Sequence, residues 1–333
     1  MGRFVAGECP KLDRLVAESL VAIGREVSEM RIPLLFGVVL GGGYGRGEGG
    51  ARECKVESVK CKVEGMPVAE CRLSNDLDFF AITKDGTTDV DAAAVAKALE
   101  PVSRRWTEKL GIDVDFTSKT PWRIRHDQER LMVQELIHGY VDVAGATGEE
   151  LFAGIPRREP SELPWIEAAR RLMTRGMGLL LAKSKMESAK CEVDFINRNI
   201  NKCILGAGDA RLIVNRKYRW RAPERAEALR DQMYRKAVAW KFRPTESAVC
   251  DWNTARDVWR AACEEVMENG ACRGALGRSL REAARWVVRR RTLGAPASFG
   301  QNCTVRVLRG VKRCIESRSA IPPSLLRDWE IFN

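Results

Sequence analysis

Leu40-Gly41-Gly42-Gly43-Tyr44-Gly45-Arg46-Gly47-Glu48-Gly49-Gly50, followed downstream by Asn75-Asp76-Leu77-Asp78-Phe79-Phe80, is the stretch on which the reading of this chain turns. Glycines let a backbone approach a phosphate closely, and two carboxylates on one strand face can hold the divalent cation that a phosphate carries. In an extended strand, residues i and i+2 point the same way with α-carbons about 6.5–7 Å apart. Asp76 and Asp78 therefore project together, while Leu77 and Phe79 face an apolar layer. Upstream, Ile32 to Leu40 is a continuous apolar run stopped by glycine, the pattern of a buried strand.

Working outward, Ile112-Asp113-Val114-Asp115-Phe116 repeats the alternation of apolar and acidic residues. If this strand neighbours the first, three or four carboxylates converge, and like charges raise one another's pKa unless a cation lies between them. Two Mg²⁺ ions about 3.5–4 Å apart are the usual device for in-line displacement at phosphorus. Taken singly, each acidic pair also fits the exposed face of a half-buried strand. The turn has a rival reading too, because Gly45-Arg46-Gly47-Glu48-Gly49-Gly50 satisfies the G-x-G-x-x-G pattern formally. A dinucleotide site needs a helix opening on the third glycine. Here Gly50 is followed by Ala51-Arg52-Glu53-Cys54-Lys55, so a dinucleotide-dependent oxidoreductase fits poorly.

The spacing of apolar residues predicts a helix over Leu12 to Met30, strands at Asp76 to Ile82 and Ile112 to Phe116, and a helix over Val90 to Leu110 between those strands. Gln128 to His138 reads as a short helix and Gly139 to Val143 as a further strand. Between the turn and Asp76 lies an insertion, 51–74, in which 60–64 and 68–73 flank Gly65-Met66-Pro67 as a hairpin. Its cysteines, Cys54, Cys61 and Cys71, match no standard metal spacing. Beyond Gly145 the composition changes. Helical periodicity follows over Ile166–Ser188, Glu192–Leu205, Ala207–Asn215, Pro223–Trp240, Thr254–Asn269 and Gly277–Arg291, and seven of the nine tryptophans fall in this half. The expected architecture is α+β: residues 1–150 form a mixed sheet with flanking helices, and 160–333 an all-α bundle.

At 45% hydrophobic and 30% charged, the 333-residue chain can build two cores and is not globally disordered. A net charge of +11 points to an anionic partner such as a nucleotide or RNA. The basic cluster Arg285, Arg289, Arg290 and Arg291 is a second place for such a partner, or simply a solvated helix end. The longest apolar runs are too short to span a bilayer. With no signal-peptide core at the start and unpaired cysteine spacing, a cytoplasmic protein with reduced thiols is expected. Two histidines leave no room for a histidine-rich zinc site.

The apolar strand, Gly42-Gly43-Tyr44-Gly45-Arg46-Gly47-Glu48, and Asn75-Asp76-Leu77-Asp78-Phe79-Phe80 together resemble the signature of the polymerase-β-type nucleotidyltransferase superfamily. They are closest to its minimal and aminoglycoside-type members, which share a G-[GS]-x-x-R-G-E turn followed by D-h-D. Ile112 to Phe116 resembles that family's third-carboxylate strand. Weaker likeness extends to Gln134–Gly139 and Lys202–Leu212. The resemblance implies a metal-dependent transfer of a nucleoside monophosphate from an NTP such as ATP to a hydroxyl acceptor (small molecule, RNA or protein), with release of pyrophosphate. It implies that Gly42 and Gly43 present backbone to the triphosphate, with Arg46 as a phosphate contact. On a helix, Lys202 shares a face with Gly206 and reaches a phosphate if that face meets the cleft; otherwise it is a lysine on a solvated face. Asp76 and Asp78 would ligate two Mg²⁺ ions, for which Mn²⁺ can substitute. One of Asp113 and Asp115 would complete the site and help deprotonate the acceptor. Asp115 has the tidier apolar flanks in Val114 and Phe116, and Asp113 stays open. Glu48 would clamp the turn through an ion pair. The chain departs from the family in the length of 51–74 and in Gly43 and Tyr44, where a small hydroxyl residue is usual. A non-catalytic nucleotide- or RNA-binding protein of the same fold is the alternative.

Overall fold

The computed structural model of the chain describes residues 3–7, 9–54, 70–188, 192–271, 303–317 and 320–332. The chain forms two compact units, Met1–Arg158 with Lys241–Thr245, and Glu159–Trp240 with Glu246–Asn333. The sequence expectation divided it at 150 and 160; the return of 241–245 to the first unit has no signal in composition.

The first unit is mixed α/β. Its strands are β1 (Leu35–Leu40), β2 (Ala51–Cys54), β3 (Glu70–Leu73), β4 (Leu77–Thr83), β5 (Val114–Lys119) and β6 (Val141–Gly145). Four form a sheet in the order β5-β4-β1-β6, with β4 and β5 parallel and the other pairs antiparallel. The helices are α1 (Pro10–Glu29), the single turn α2 (Gly42–Gly45), α3 (Asp89–Leu110), α4 (Pro121–His126), α5 (Leu131–Ile137) and α6 (Gly148–Leu151). Strand alternation sorts the core into two layers. Val38 and Leu40 of β1 and Leu77, Phe79 and Ala81 of β4 pack with Val16, Leu20 and Ile23 of α1 and Leu99, Val102 and Trp106 of α3. Val39 and Ile82 pack on the other face with Ile124, Val133, Leu136 and Ile137. Thr88 starts α3 with a capping box to Asp91, and Gly111 ends it in the left-handed conformation at φ 67°.

The insertion differs from expectation. Glu70–Leu73 is a strand, but its partner is Ala51–Cys54, with Ala51 opposite Leu73. The 60–64 arm and the Gly65-Met66-Pro67 turn lie outside the described residues. The described cysteines, Cys9, Cys71, Cys203, Cys250, Cys263 and Cys314, are free thiols. Burial pushes the Cys263 thiol up to about 12, which keeps it protonated and inert.

The second unit is helical: α7 (Trp165–Met186), α8 (Val193–Val214), α9 (Ala222–Leu229), α10 (Gln232–Phe242, its last residues counted with the first unit), α11 (Trp252–Ala271), α12 (Cys303–Ser317) and α13 (Pro323–Phe332). Trp252 and Trp259 are buried and donate their indole N–H groups to the carbonyls of Leu179 and Leu172, both at 2.9 Å. Two helix expectations are corrected. Residues 192–215 form one helix, because Gly206 and Gly208 permit close packing rather than a break: a Cβ there would collide with Arg175 and with Tyr234. Residues 223–240 form two helices, because Arg230 turns left-handed at φ 56° and Asp231 Oδ1 accepts the Tyr234 amide at 2.9 Å. The expected helix 277–291 and its arginine cluster lie outside the described residues.

Candidate active site

Sheet topology brings three sequence segments to one end. Because β1 runs antiparallel to β4, with Leu40 opposite Phe79, its C-terminal end meets the N-terminal end of β4. Because β5 runs parallel to β4, its N-terminal end lies there too, with Leu77 opposite Val114 and Asp78 opposite Asp115. The junction is stitched by backbone: Gly41 N–H donates to Asp78 O at 2.8 Å, and Leu77 N–H to Asp113 O at 2.9 Å. As register partners, Asp78 and Asp115 project from one face of strands about 4.8 Å apart. Their neighbours Phe79 and Phe116 stack on the opposite face with ring centroids 4.8 Å apart. Asp76, two residues before Asp78, precedes β4 and is half-buried.

The glycine turn closes over this end. Gly42 has φ 61°, and a Cβ on it would fall on Asp78 Oδ2. Both reasons exclude a side chain there. Gly43 is nearly as confined, its added Cβ lying 3.3 Å from Glu48 O. The amides of Gly42 and Gly43 have no acceptor among the described residues. Tyr44, fully buried, fastens the turn: its hydroxyl donates to Gly50 O at 3.0 Å, and its oxygen accepts from the Asn75 and Ser74 amides. Burial, and to a lesser degree the Asp76 carboxylate, hold this phenol well above its usual pKa.

Glu48 is buried and serves as an anchor. Lys241 Nζ donates to Glu48 Oε2 at 2.7 Å, and Arg46 Nε stands 3.7 Å from the same oxygen. Arg46 also faces Glu135 at 3.9 Å, and its aliphatic stem lies against Gly139. The side chain read as a phosphate contact is thus committed to two carboxylates.

Asp113 and Asp115 are exposed. Partial desolvation, then the carboxylates of Asp113 and Asp76, raise the Asp115 carboxyl above the ordinary carboxylate range. Among the described residues, no group of three or more His, Cys, Asp or Glu side chains stands close enough to hold a metal ion. The donors are nonetheless all carboxylate oxygens at adjacent strand ends, with Asp113 and Asp76 both acting on Asp115. That is the donor chemistry of a hard divalent cation, which Asp76, Asp78 and Asp115 match in type.

Of the residues singled out in the sequence, Gly42, Gly43, Asp76, Asp78, Asp113 and Asp115 meet at one sheet end, with Arg46 at its rim. Lys202 belongs to the helical unit, exposed on α8, and is not among the residues the α/β unit assembles. Asp209, in the same helix, is buried against Arg225 at 3.1 Å and Arg171 at 3.2 Å, a structural role. Sequence reading missed Tyr44 as the bolt of the turn. It also missed Lys241, whose partner Glu48 is 193 residues away. No protein-family model, curated protein or solved structure matches this chain.

Proposed function

We propose that the α/β unit is a metal-dependent nucleotidyltransferase that moves a nucleoside monophosphate from an NTP to a hydroxyl acceptor and releases pyrophosphate. The observation that carries this reading is the register pair Asp78–Asp115 beneath a glycine turn whose two amides have no acceptor among the described residues. Asp76, Asp78 and Asp115 would hold Mg²⁺. Bound there, the ion would neutralise the triphosphate and polarise the phosphorus under attack. Gly42 and Gly43 would donate their amides to phosphate oxygens, and the missing Cβ at 42 would let those oxygens reach the carboxylate end. Asp115, with its raised carboxyl, would take the acceptor's proton as the new O–P bond forms and the α–β bridging bond breaks. Arg46, Glu48 and Lys241 act as a frame that keeps the turn in position.

A second reading, nucleotide or RNA binding without turnover, is favoured by the absence of an assembled three-ligand group among the described residues. Label transfer separates the two. With α-³²P-labelled NTPs and a panel of hydroxyl acceptors, the wild-type protein should transfer label, and Asp76→Ala with Asp78→Ala should abolish it. Undiminished transfer in the double variant would sink the proposal. Mg²⁺-dependent NTP binding with no transfer by the wild type would select the second reading.

A further inference from the structure

The proposed transfer needs the glycine turn held still, and Glu48 is not alone in holding it. Residues 3–6, ahead of α1, offer four consecutive amides, and each has an acceptor. Arg3 N–H donates to Asp13 Oδ2 at 3.0 Å, and the Phe4 and Val5 N–H groups both donate to Asp13 Oδ1 at 2.9 Å. Ala6 N–H donates to Gly49 O at 2.8 Å, and Gly49 N–H returns a bond to Phe4 O at 2.9 Å. Val5 and Gly49 thus form a parallel bridge. One half-buried carboxylate in the first turn of α1 therefore fixes the segment that pairs with the end of the glycine turn. Bonds accepted by a carboxylate are roughly twice as strong as neutral ones.

Little slack remains in this arrangement. Phe4 and Val5 are buried and pack in the same core layer as Leu12 and Val16 of α1. Gly49 lies between Phe4 and Tyr44: a Cβ on it would collide with the Tyr44 ring and stand 2.8 Å from Phe4 O. One residue earlier, Glu48 N–H donates to Gly43 O at 2.7 Å. Hydrogen bonds and peptide links thus run without a gap from the Asp13 carboxylate through Phe4, Gly49 and Glu48 to Gly43.

We propose that Asp13 is a positioning residue of the site: by fixing residues 3–6 against Gly49, it holds the Gly43 amide where the triphosphate meets it. The inference rests on the nucleotidyl-transfer reading for what the turn binds, and it adds the segment ahead of α1 to the frame of that turn. Asp13 acts through the backbone it holds. The carboxylates assigned to the chemistry are tied down by other bonds, Gly41 N–H to Asp78 O and Leu77 N–H to Asp113 O. Loss of Asp13 therefore weakens NTP binding more than turnover.

The test compares Asp13→Ala, Asp13→Asn and a control, Thr88→Ala, which removes the α3 cap and so weakens the same unit away from the turn. Amide exchange of the full chain, without substrate, is followed by mass spectrometry on peptides from 40–50, β4 and β5. Asp13→Ala should speed exchange in 40–50 about tenfold or more beyond any change in β4, the effect of losing one bond to a charged acceptor. Thr88→Ala should give 40–50 no such excess. Asp13→Asn keeps one oxygen for the Phe4 and Val5 amides and should fall between wild type and Asp13→Ala. In label transfer with Mg²⁺, Asp13→Ala should raise the NTP KM about tenfold with kcat nearly unchanged, and Asp13→Asn should recover part of that loss. No excess exchange in Asp13→Ala, an equal excess in Thr88→Ala, or an unchanged KM would overturn the proposal. A wild type that transfers no label would instead overturn the reaction proposed above, and the exchange comparison would still decide whether Asp13 fixes the turn.

Discussion

Gly42→Ala tests whether the turn rests directly on the Asp78 carboxylate. Gly42, Gly86 and Gly154 all have positive φ, at 61°, 80° and 74°, but only at Gly42 among these three does an added Cβ meet anything within 4 Å. An alanine at Gly86 or Gly154 bears the left-handed conformational cost of about 1–2 kcal/mol. Restriction of the unfolded chain returns about 0.4–1 kcal/mol of that, leaving about 1 kcal/mol. At Gly42 the same backbone cost is joined by overlap with Asp78 Oδ2, for which overpacking gives about 1–3 kcal/mol more. The expected destabilisation is therefore about 2–4 kcal/mol. Amide exchange read by mass spectrometry on peptides from β1 and β4 measures opening of the α/β unit itself. Asp78→Ala should relieve the overlap, so the double variant should be more stable than the sum of the two by about 1–3 kcal/mol. A Gly42→Ala loss no larger than that of Gly154→Ala, or strict additivity with Asp78→Ala, would refute the placement of the carboxylate beneath the turn.

Two further perturbations address the frame and the electrostatics. Glu48→Gln should destabilise the turn by about 3 kcal/mol, because Arg46 and Lys241 would lose their shared, buried counter-charge; faster exchange in peptides covering 40–50 would show it. Asp115→Asn should lower transfer yet raise stability at neutral pH. The native state holds the Asp115 proton more tightly than the unfolded chain does, so wild-type stability falls as pH rises from the ordinary carboxylate range through the raised value. Thermal unfolding from acidic to neutral pH should show the two proteins alike at the acidic end and the variant ahead at the neutral end.

The elements of the α/β unit were legible where burial sets a period. β1 shows as an unbroken apolar run because it is covered on both faces, with Val38 in one layer and Val39 in the other. β4 shows as an alternation because Asp78 alternates with buried Leu77 and Phe79. The choice between Asp113 and Asp115 was not legible, because it depends on which strands pair and in what register. The structure places Asp115 opposite Asp78 and leaves Asp113 just ahead of β5, its carbonyl bonded to Leu77. Gly206 misled for a related reason: a glycine that breaks a helix and one that admits a neighbouring Arg175 look alike until the neighbour is known.

The distribution of charge around the turn argues against a purely structural role for the acids. Among the described residues, Asp76, Asp113 and Asp115 have no ion-pair partner, although Asp76 and Asp113 lie close enough to raise the Asp115 carboxyl. Arg46 and Lys241, the cations nearest the turn's buried acid, are both held by Glu48. A fold shaped by stability alone would set a cation among clustered carboxylates, since repulsion between them opposes folding at neutral pH. Here a buried acid instead retains these two cations, and Asp76, Asp113 and Asp115 have no ion pair among the described residues. An arrangement that anchors the turn while leaving Asp76, Asp113 and Asp115 without an ion pair among the described residues supports the proposed site for an external cation and its anionic cargo.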